Sequence, residues 1–237
     1  MAKKIDIKKI AQKFSIRNLT LIINNKKIIE DVSFSISGKT ALIGPNGSGK
    51  TMILSLLAHY ITPTQGIMLG KNGVNMLTDE SSKQLIGCMI QNSELSQDKT
   101  PTEELLRATQ LVKGHIKIRD EDEILDLLAQ YKIPNIQNKY LPHGKKQLVL
   151  LMLAMVGNPE LLLLDEPFSG LDLIGRKHIT ELLQKYKGSM LITSHLLDEI
   201  HEICTDIVFI KKGSVIEERK VKNIKNMNAY YFSLYSE

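Results

Sequence analysis

The sequence predicts an α/β fold with a mostly parallel β-sheet covered by helices, an antiparallel β subdomain and an inserted α-helical subdomain. Alternating and β-branched runs dominate the first part of the chain and predict strands. Apolar residues then recur at helical spacing between residues 101 and 131, which predicts the inserted helices. Strand–helix alternation after residue 160 is typical of a parallel sheet with helices on its faces.

The same patterns predict the individual elements. Strands are expected at residues 16–23, 27–36, 40–43, 67–69, 85–91, 161–165, 190–193 and 207–210. Helices are expected at 50–60, 176–186 and 196–203 besides those of the insertion. Without a repeat or a linker, the chain is expected to form one unit over 1–237. Its expected parts are a core (14–91 and 161–220), a helical subdomain (92–160), a basic extension (1–13) and a C-terminal tail (221–237).

Composition limits the function classes. A chain of 237 residues that is 43% hydrophobic and 24% charged can bury a sizeable core. Its apolar runs fall short of the roughly 20 residues that cross a bilayer, and its N-terminus lacks a secretory segment, so a cytosolic protein is expected. Residues 1–13 carry +4 of the net charge of +5, which leaves little attraction for nucleic acid elsewhere. Cys88 and Cys204 are expected to be free thiols.

A glycine-rich loop, residues 44–51, follows a predicted strand and opens a predicted helix. It fits the pattern G-x-x-x-x-G-K-[ST] with Gly44, Pro45, Asn46, Gly47, Ser48, Gly49, Lys50 and Thr51. Glycines let backbone N–H groups turn toward phosphate oxygens, and the helix N-terminus adds a favourable dipole. We expect Lys50 to bind the β- and γ-phosphates of ATP and Thr51 to offer its hydroxyl to Mg²⁺. The sequence therefore predicts a P-loop NTPase; a surface turn with a chance lysine is the alternative.

Two carboxylates follow a run of four leucines, residues 161–164. In open α/β folds nucleotide sites lie at the carboxyl ends of such strands. Asp165 is then expected on the magnesium side of the site, and Glu166 is the candidate base that polarises water. Taken alone, the same run could be a strand that enters a solvated turn. The phosphate loop in the same chain favours the catalytic interpretation.

Further residues, in order and spacing, resemble those of the ABC ATPases over nearly the whole chain. Gln91 is similar to the family's Q-loop glutamine and His195 to its switch histidine. Ser169, Gly170, Leu171 and Asp172 resemble its D-loop. The resemblance implies that Gln91 touches the catalytic metal and faces the membrane partner, and that His195 contacts the γ-phosphate. It also implies a dimer that binds membrane-spanning permease subunits at the cytoplasmic face of the cell membrane.

The family's signature loop, usually Leu-Ser-Gly-Gly-Gln, falls at an altered segment. The corresponding residues are Leu141, Pro142, His143, Gly144 and Lys145. In the family this loop caps the γ-phosphate held by the other subunit, and Pro142 offers neither a hydroxyl nor an N–H. Lys145 or a protonated His143 is a candidate to replace the lost contacts by charge. A tolerated variant and a loss of function both remain open, and so do a homodimer and a heterodimer with a second ATPase.

The position where the family stacks an aromatic ring on adenine falls at Ile23. An aliphatic side chain gives up roughly 1–3 kcal/mol of stacking, by analogy with nucleic-acid sites, so modest nucleotide affinity is expected. A register error of one residue is an alternative, although the nearby aromatics are only Phe14 and Phe34.

Three functions remain in competition. The leading hypothesis is an ATPase that drives a transporter, more specifically an exporter of drugs, peptides or antibiotic-like substances. A soluble ABC ATPase acting on nucleic acid or ribosomes is the alternative, but such members carry two ATPase units or a very long coiled coil, so no nucleic-acid partner is expected. A module that binds ATP without hydrolysing it would be expected to lack Glu166 or His195.

Overall fold

The computed structural model describes residues 13–70, 73–90, 93–111 and 121–236. An antiparallel sheet of three strands, in the order β2-β1-β4, forms the N-terminal side. Its strands are β1 (Lys13–Ile23), β2 (Lys26–Ser37) and β4 (Gln65–Leu69). Buried residues alternate along β2, as expected for a sheet with one face against the core.

The second sheet has six strands in the order β5-β6-β7-β3-β8-β9. All neighbouring pairs are parallel except β8 and β9, which form an antiparallel hairpin. The strands are β3 (Lys39–Ile43), β5 (Ile86–Met89), β6 (Leu161–Asp165), β7 (Ser189–Thr193), β8 (Asp206–Lys211) and β9 (Ser214–Lys220). Since β3, β6 and β7 are parallel neighbours, their carboxyl ends meet at one edge.

Seven α-helices lie within the described residues. They are α1 (Lys50–Leu57), α2 (Pro101–Leu111), α3 (Glu121–Gln130), α4 (His143–Met155), α5 (Leu173–Lys185), α6 (Leu197–Ile203) and α7 (Met227–Tyr235). The described parts of the chain hold no helix that is both long and apolar enough to span a bilayer.

The leucines of β6 build the core on both sides of the sheet. Leu161 and Leu163 pack with α1 and the antiparallel sheet, while Leu162 and Leu164 pack with α4, α5 and α6. All four are fully buried. A strand covered on both faces is apolar throughout, which explains why the sequence shows a run rather than an alternation.

The predicted fold class is confirmed. Strand β9 and helix α7 have no counterpart among the expected elements, and the other differences concern element ends. Helix α1 ends at Leu57 rather than at residue 60. His59, two residues beyond this end, has a left-handed φ of 61°. Helix α5 begins at Leu173 instead of residue 176, because the Asp172 side chain accepts a hydrogen bond from the Gly175 N–H at 2.7 Å and caps the helix. The signal for this earlier start was the aspartate itself.

The C-terminal aromatic residues pack on the core. The Tyr235 hydroxyl lies within hydrogen-bond reach of the carbonyl oxygens of Ile43 (3.1 Å) and Ile210 (3.0 Å), at the carboxyl ends of β3 and β8. The Tyr230 ring packs against Phe209 in a tilted arrangement, with the ring centroids 5.5 Å apart. Helix α7 therefore supports the strand that leads into the phosphate loop.

We expect Leu163→Ala to lower the free energy of unfolding by about 2–5 kcal/mol, because it opens a cavity in the core. Leu173→Ala is the matched control, since that leucine is 81% exposed and its truncation should change stability by less than about 0.5 kcal/mol. Urea titration of both variants measures the difference. Equal losses would contradict the assignment of Leu163 to the core.

Candidate functional site

The phosphate loop connects β3 to α1. Gly49 precedes the helix with φ of 104°, a conformation that side chains rarely adopt, and a Cβ there would lie 2.6 Å from the Ile29 side chain. The loop is closed by a hydrogen bond from Ser48 N–H to the Pro45 oxygen. This turn directs the N-terminus of α1 toward the carboxyl edge of the sheet, where its N–H groups can receive an anion.

Lys50 extends back over the same loop. Its Nζ donates to the carbonyl oxygens of Gly44 at 2.8 Å and Pro45 at 3.1 Å. Burial lowers the pKa of this ammonium, while the carboxylates of Glu166 and Asp165 raise it. The loop and two carboxylates thus hold a cation at the centre of the site.

Asp165 connects three elements through its two carboxylate oxygens. Oδ2 accepts a hydrogen bond from the Thr51 hydroxyl at 2.7 Å, and Oδ1 accepts one from the Thr193 hydroxyl at 2.6 Å. Thr193 is fully buried and lies opposite Asp165 in the β6–β7 register. Its hydroxyl also accepts the N–H of Glu166 at 3.0 Å.

Glu166 lies just beyond β6 with φ of 49°, a left-handed backbone that is strained for a non-glycine residue. Oε1 lies 3.0 Å from His195 Nε2, and Oε2 accepts the His195 N–H at 3.2 Å. Burial raises the pKa of the carboxyl group, and His195 and Lys50 partly oppose this shift. The result is a carboxyl group that binds a proton more readily than an exposed one does.

These residues surround one cavity of about 700 Å³. Of the residues expected from the sequence, Asn46, Gly47, Gly49, Lys50, Thr51, Asp165, Glu166, Ser169 and His195 line it. Ile23 does not: it is exposed at the end of β1, and Ile28 of β2 lines the cavity instead. Gln91 lies outside the described residues, as do residues 1–12 of the basic extension.

The signature loop, residues 141–145, leads into α4. Pro142 is the N-cap residue and makes no side-chain cap, and His143 Nε2 lies 3.2 Å from the Ser169 oxygen. The expected use of Lys145 as a free replacement charge does not fit its geometry. Its Nζ donates to the Tyr131 carbonyl at 2.7 Å, at the end of α3, and burial lowers its pKa.

The D-loop, residues 169–172, lies between β6 and α5. Ser169 N–H donates to the Glu166 carbonyl at 3.0 Å. Leu171 is buried and Asp172 caps α5. Arg176 Nε donates to the Leu171 oxygen at 3.2 Å, so the loop is held from both sides.

Thr193 and Gln147 are site residues that the sequence did not indicate. Gln147 of α4 lines the cavity, and the Thr193 hydroxyl bonds the Asp165 carboxylate and the main-chain N–H of Glu166. A threonine that ends a buried strand two residues before a candidate histidine was the available signal. Its use depends on the pairing of β6 with β7, which motif spacing does not encode.

The donor set fits a Mg²⁺ ion that is held partly by its substrate. Among the described residues, no group of three His, Cys, Asp or Glu side chains could hold a metal. Thr51 and Asp165 supply adjacent oxygens within hydrogen-bond distance of each other. Mg²⁺ is commonly bound by one or two such protein ligands together with phosphate oxygens and water.

A mostly parallel sheet with a phosphate loop and adjacent carboxylates at its carboxyl edge defines a P-loop NTPase. The ABC transporter family model matches residues 29–169. Over 226 residues the chain is 34% identical to the uncharacterized ABC transporter ATP-binding protein YcbN of Bacillus subtilis. The aligned residues make up 91% of this chain and 72% of that protein. The chain therefore belongs to the ABC transporter ATP-binding proteins and is an ABC ATPase.

Other relatives agree with this membership. The lantibiotic transport ATP-binding protein SrtF of Streptococcus pyogenes is 29% identical over 226 residues, which are 91% of this chain and 94% of that one. A solved ATP-binding subunit of an ABC transporter superposes with a TM-score of 0.82 at 22% identity, covering 94% of this chain and 99% of the other. This structural likeness confirms the fold.

We predict that Thr193→Val lowers the free energy of unfolding by about 1–3 kcal/mol and ATP turnover by about tenfold or more, because Asp165 loses a buried donor. Thr193→Ser keeps the hydroxyl and is the control, with a smaller loss of turnover. Thermal melts and steady-state ATPase assays measure both effects. Equal turnover in the two variants would show that the hydroxyl does not position the Asp165 carboxylate.

Proposed function

We propose that this chain is the ATP-hydrolysing subunit of a membrane transporter and that Lys50, Thr51, Asp165, Glu166 and His195 form its catalytic site. The observation that carries the proposal is their convergence on one cavity beside the phosphate loop. The family membership provides the ATPase activity, and the geometry supports these residues as its machinery.

Each residue has a chemical reason for its proposed task. Lys50 and the N-terminus of α1 bind the β- and γ-phosphates, since both present positive charge there. Glu166 accepts a proton from the attacking water, because burial raises its pKa above that of an exposed carboxylate. His195 lies against Glu166 and is positioned to contact the γ-phosphate. Gln91 remains a candidate contact to the metal and the membrane partner.

Mg²⁺ is proposed as the metal that accompanies ATP and neutralises charge on the phosphates. Thr51 and Asp165 would hold it, since their oxygens are adjacent at the end of the phosphate loop. Adenine would lie toward β1 and β2. Ile28 lines the cavity there and is a better placed aliphatic contact than Ile23.

The proposed assembly is a dimer of ATPase subunits bound to membrane-spanning permease subunits at the cytoplasmic face of the membrane. The helical part at 92–160 is proposed as one subdomain, with 14–91 and 161–220 as the core. A cavity of about 590 Å³ between residues 93–97 and α4 is a suitable place for a permease segment. Its charged lining residues are Glu94, Lys139 and Lys146.

Export of peptide or antibiotic-like substances is the proposed direction of transport. Support comes from the similarity to SrtF, whose name assigns it to lantibiotic transport. The similarity covers 94% of SrtF, so it extends over nearly that whole protein.

A second, different ATPase subunit is proposed as the dimer partner. Pro142 removes the signature hydroxyl at the N-cap of α4, and Lys145 is bonded within its own subunit. Loss of one preorganised donor to a transition state typically costs about 2.7–4 kcal/mol. A partner with an intact signature would restore fast hydrolysis at the site formed by Lys50 and Glu166.

We expect Glu166→Gln to lower ATP turnover about a hundredfold or more while ATP affinity changes by less than about threefold, because the base is lost and its size is kept. Lys50→Ala should weaken ATP binding by about tenfold or more, since a charge-assisted contact is removed. Fluorescent-nucleotide titration and phosphate release measure the two effects. An equal loss of ATP binding in both variants would contradict the assigned tasks.

The heteromeric assembly predicts slow turnover by this chain alone and fast turnover by the complex purified from its native membrane. Pro142→Ser should accelerate the isolated chain about tenfold or more, because a hydroxyl returns to the N-cap. Mass spectrometry of the native complex should find a second ATPase chain and a permease. Strong hydrolysis by the unmodified chain alone, unchanged by Pro142→Ser, would remove the need for a second subunit.

A further inference from the structure

The altered signature residues make contacts inside their own subunit. His143 is the first residue of α4, and its ring lies against the D-loop. Nε2 is 3.2 Å from the Ser169 carbonyl oxygen, which can only accept, so the imidazole donates this hydrogen bond. A Cβ built at Gly170 would lie 2.9 Å from the same nitrogen. The glycine therefore leaves the room that the ring occupies.

Lys145 makes the second contact on the opposite side of the same helical turn. Two residues beyond the end of α3, Lys132 has a left-handed φ of 52°, and the N–H groups of Lys132 and Ile133 donate to the carbonyl oxygens of Ala129 and Leu128. The Tyr131 carbonyl at this end is bonded by Lys145 Nζ at 2.7 Å. A cation is favourable there because the C-terminus of a helix carries partial negative charge.

We propose that His143 and Lys145 are positioning residues that clamp the first turn of α4 between the D-loop and the end of α3. The signature loop of this chain then offers main-chain N–H groups to the nucleotide of the partner subunit, and its two basic side chains serve their own subunit. This inference rests on the proposed ATPase dimer for its catalytic consequence. Its structural content is independent of the dimer.

The clamp reaches the main chain of Glu166 through one residue, Ser169. His143 bonds the Ser169 carbonyl, and the Ser169 N–H donates to the Glu166 carbonyl at 3.0 Å. Glu166 has a strained backbone that the surrounding contacts must maintain. Release of His143 should therefore loosen the D-loop and lower kcat more than it raises KM, since the bond does not involve ATP.

The test compares His143→Leu, which lacks the donor, with His143→Gln, which keeps an N–H at similar reach. Hydrogen exchange of the whole chain should be about threefold or more faster at residues 168–171 in His143→Leu and close to wild type in His143→Gln. In the native complex, kcat should fall about two- to tenfold in the leucine variant with KM for ATP nearly constant. The glutamine variant should recover most of that loss.

Lys145→Met and Lys145→Arg provide an independent arm at the other contact. In Lys145→Met the amide hydrogens of residues 130–133 should exchange faster than in the wild type. Lys145→Arg keeps a donor, so exchange at these residues should stay close to the wild-type rate. His143 is exposed and a melting curve of each variant checks that the fold is retained.

A hydrogen-exchange rate at residues 168–171 that stays at the wild-type value in His143→Leu would overturn the proposal. A loss of kcat in His143→Gln as large as that in His143→Leu would also overturn it. A rise in KM with kcat and exchange unchanged would also overturn it, because His143 would then contact the nucleotide of the partner subunit directly. Failure of the proposed function would give a different result, namely a native complex that does not hydrolyse ATP. The exchange measurements would still decide whether the clamp exists.

Discussion

The hydrogen bonding of one buried carboxylate, Asp165, is the constraint on which the site depends. The residue is only 5% exposed, and a carboxylate in that setting is costly unless its oxygens are bonded. Thr51 and Thr193 supply the two donors. Because they come from α1 and β7 while Asp165 ends β6, satisfying one side chain fixes three elements relative to one another. The phosphate loop is therefore positioned against the carboxylates by the same bonds that stabilise them.

The apolar core determines where that carboxylate can lie. Leu161 to Leu164 are fully buried on alternating faces, so a shift of β6 by one residue would exchange its two sets of packing partners. Pairing with β7 then places Thr193 opposite Asp165. Packing energy thus sets the register, and the register sets the polar geometry. The strained backbone of Glu166 is maintained by its surroundings, since the residues on either side of it, Asp165 and Pro167, are both buried.

The sequence predicted those parts of the site that lie on one continuous segment. The phosphate loop is a strand, a turn and a helix in succession, and Asp165 and Glu166 directly follow their strand, so local patterns were sufficient. Thr193 was missed because its importance arises only when two strands pair. Ile23 was expected at the cavity by alignment to a family pattern, but Ile28 on the neighbouring strand lies there instead. The fold class followed from periodicity, whereas the start of α5 depended on the Asp172 cap, which periodicity does not reveal.

The signature loop shows why residue type alone did not determine function here. From the sequence, a lysine at position 145 could compensate for a lost phosphate contact by its charge. Its long stem also reaches the C-terminus of α3, where the Tyr131 carbonyl accepts it at 2.7 Å. This ammonium group is held at a carbonyl of its own subunit, and moving it to a phosphate on a different subunit would leave that carbonyl without this donor. The helix end therefore competes with the nucleotide for the same cation, and this competition favours an internal task for the substituted residues of the loop.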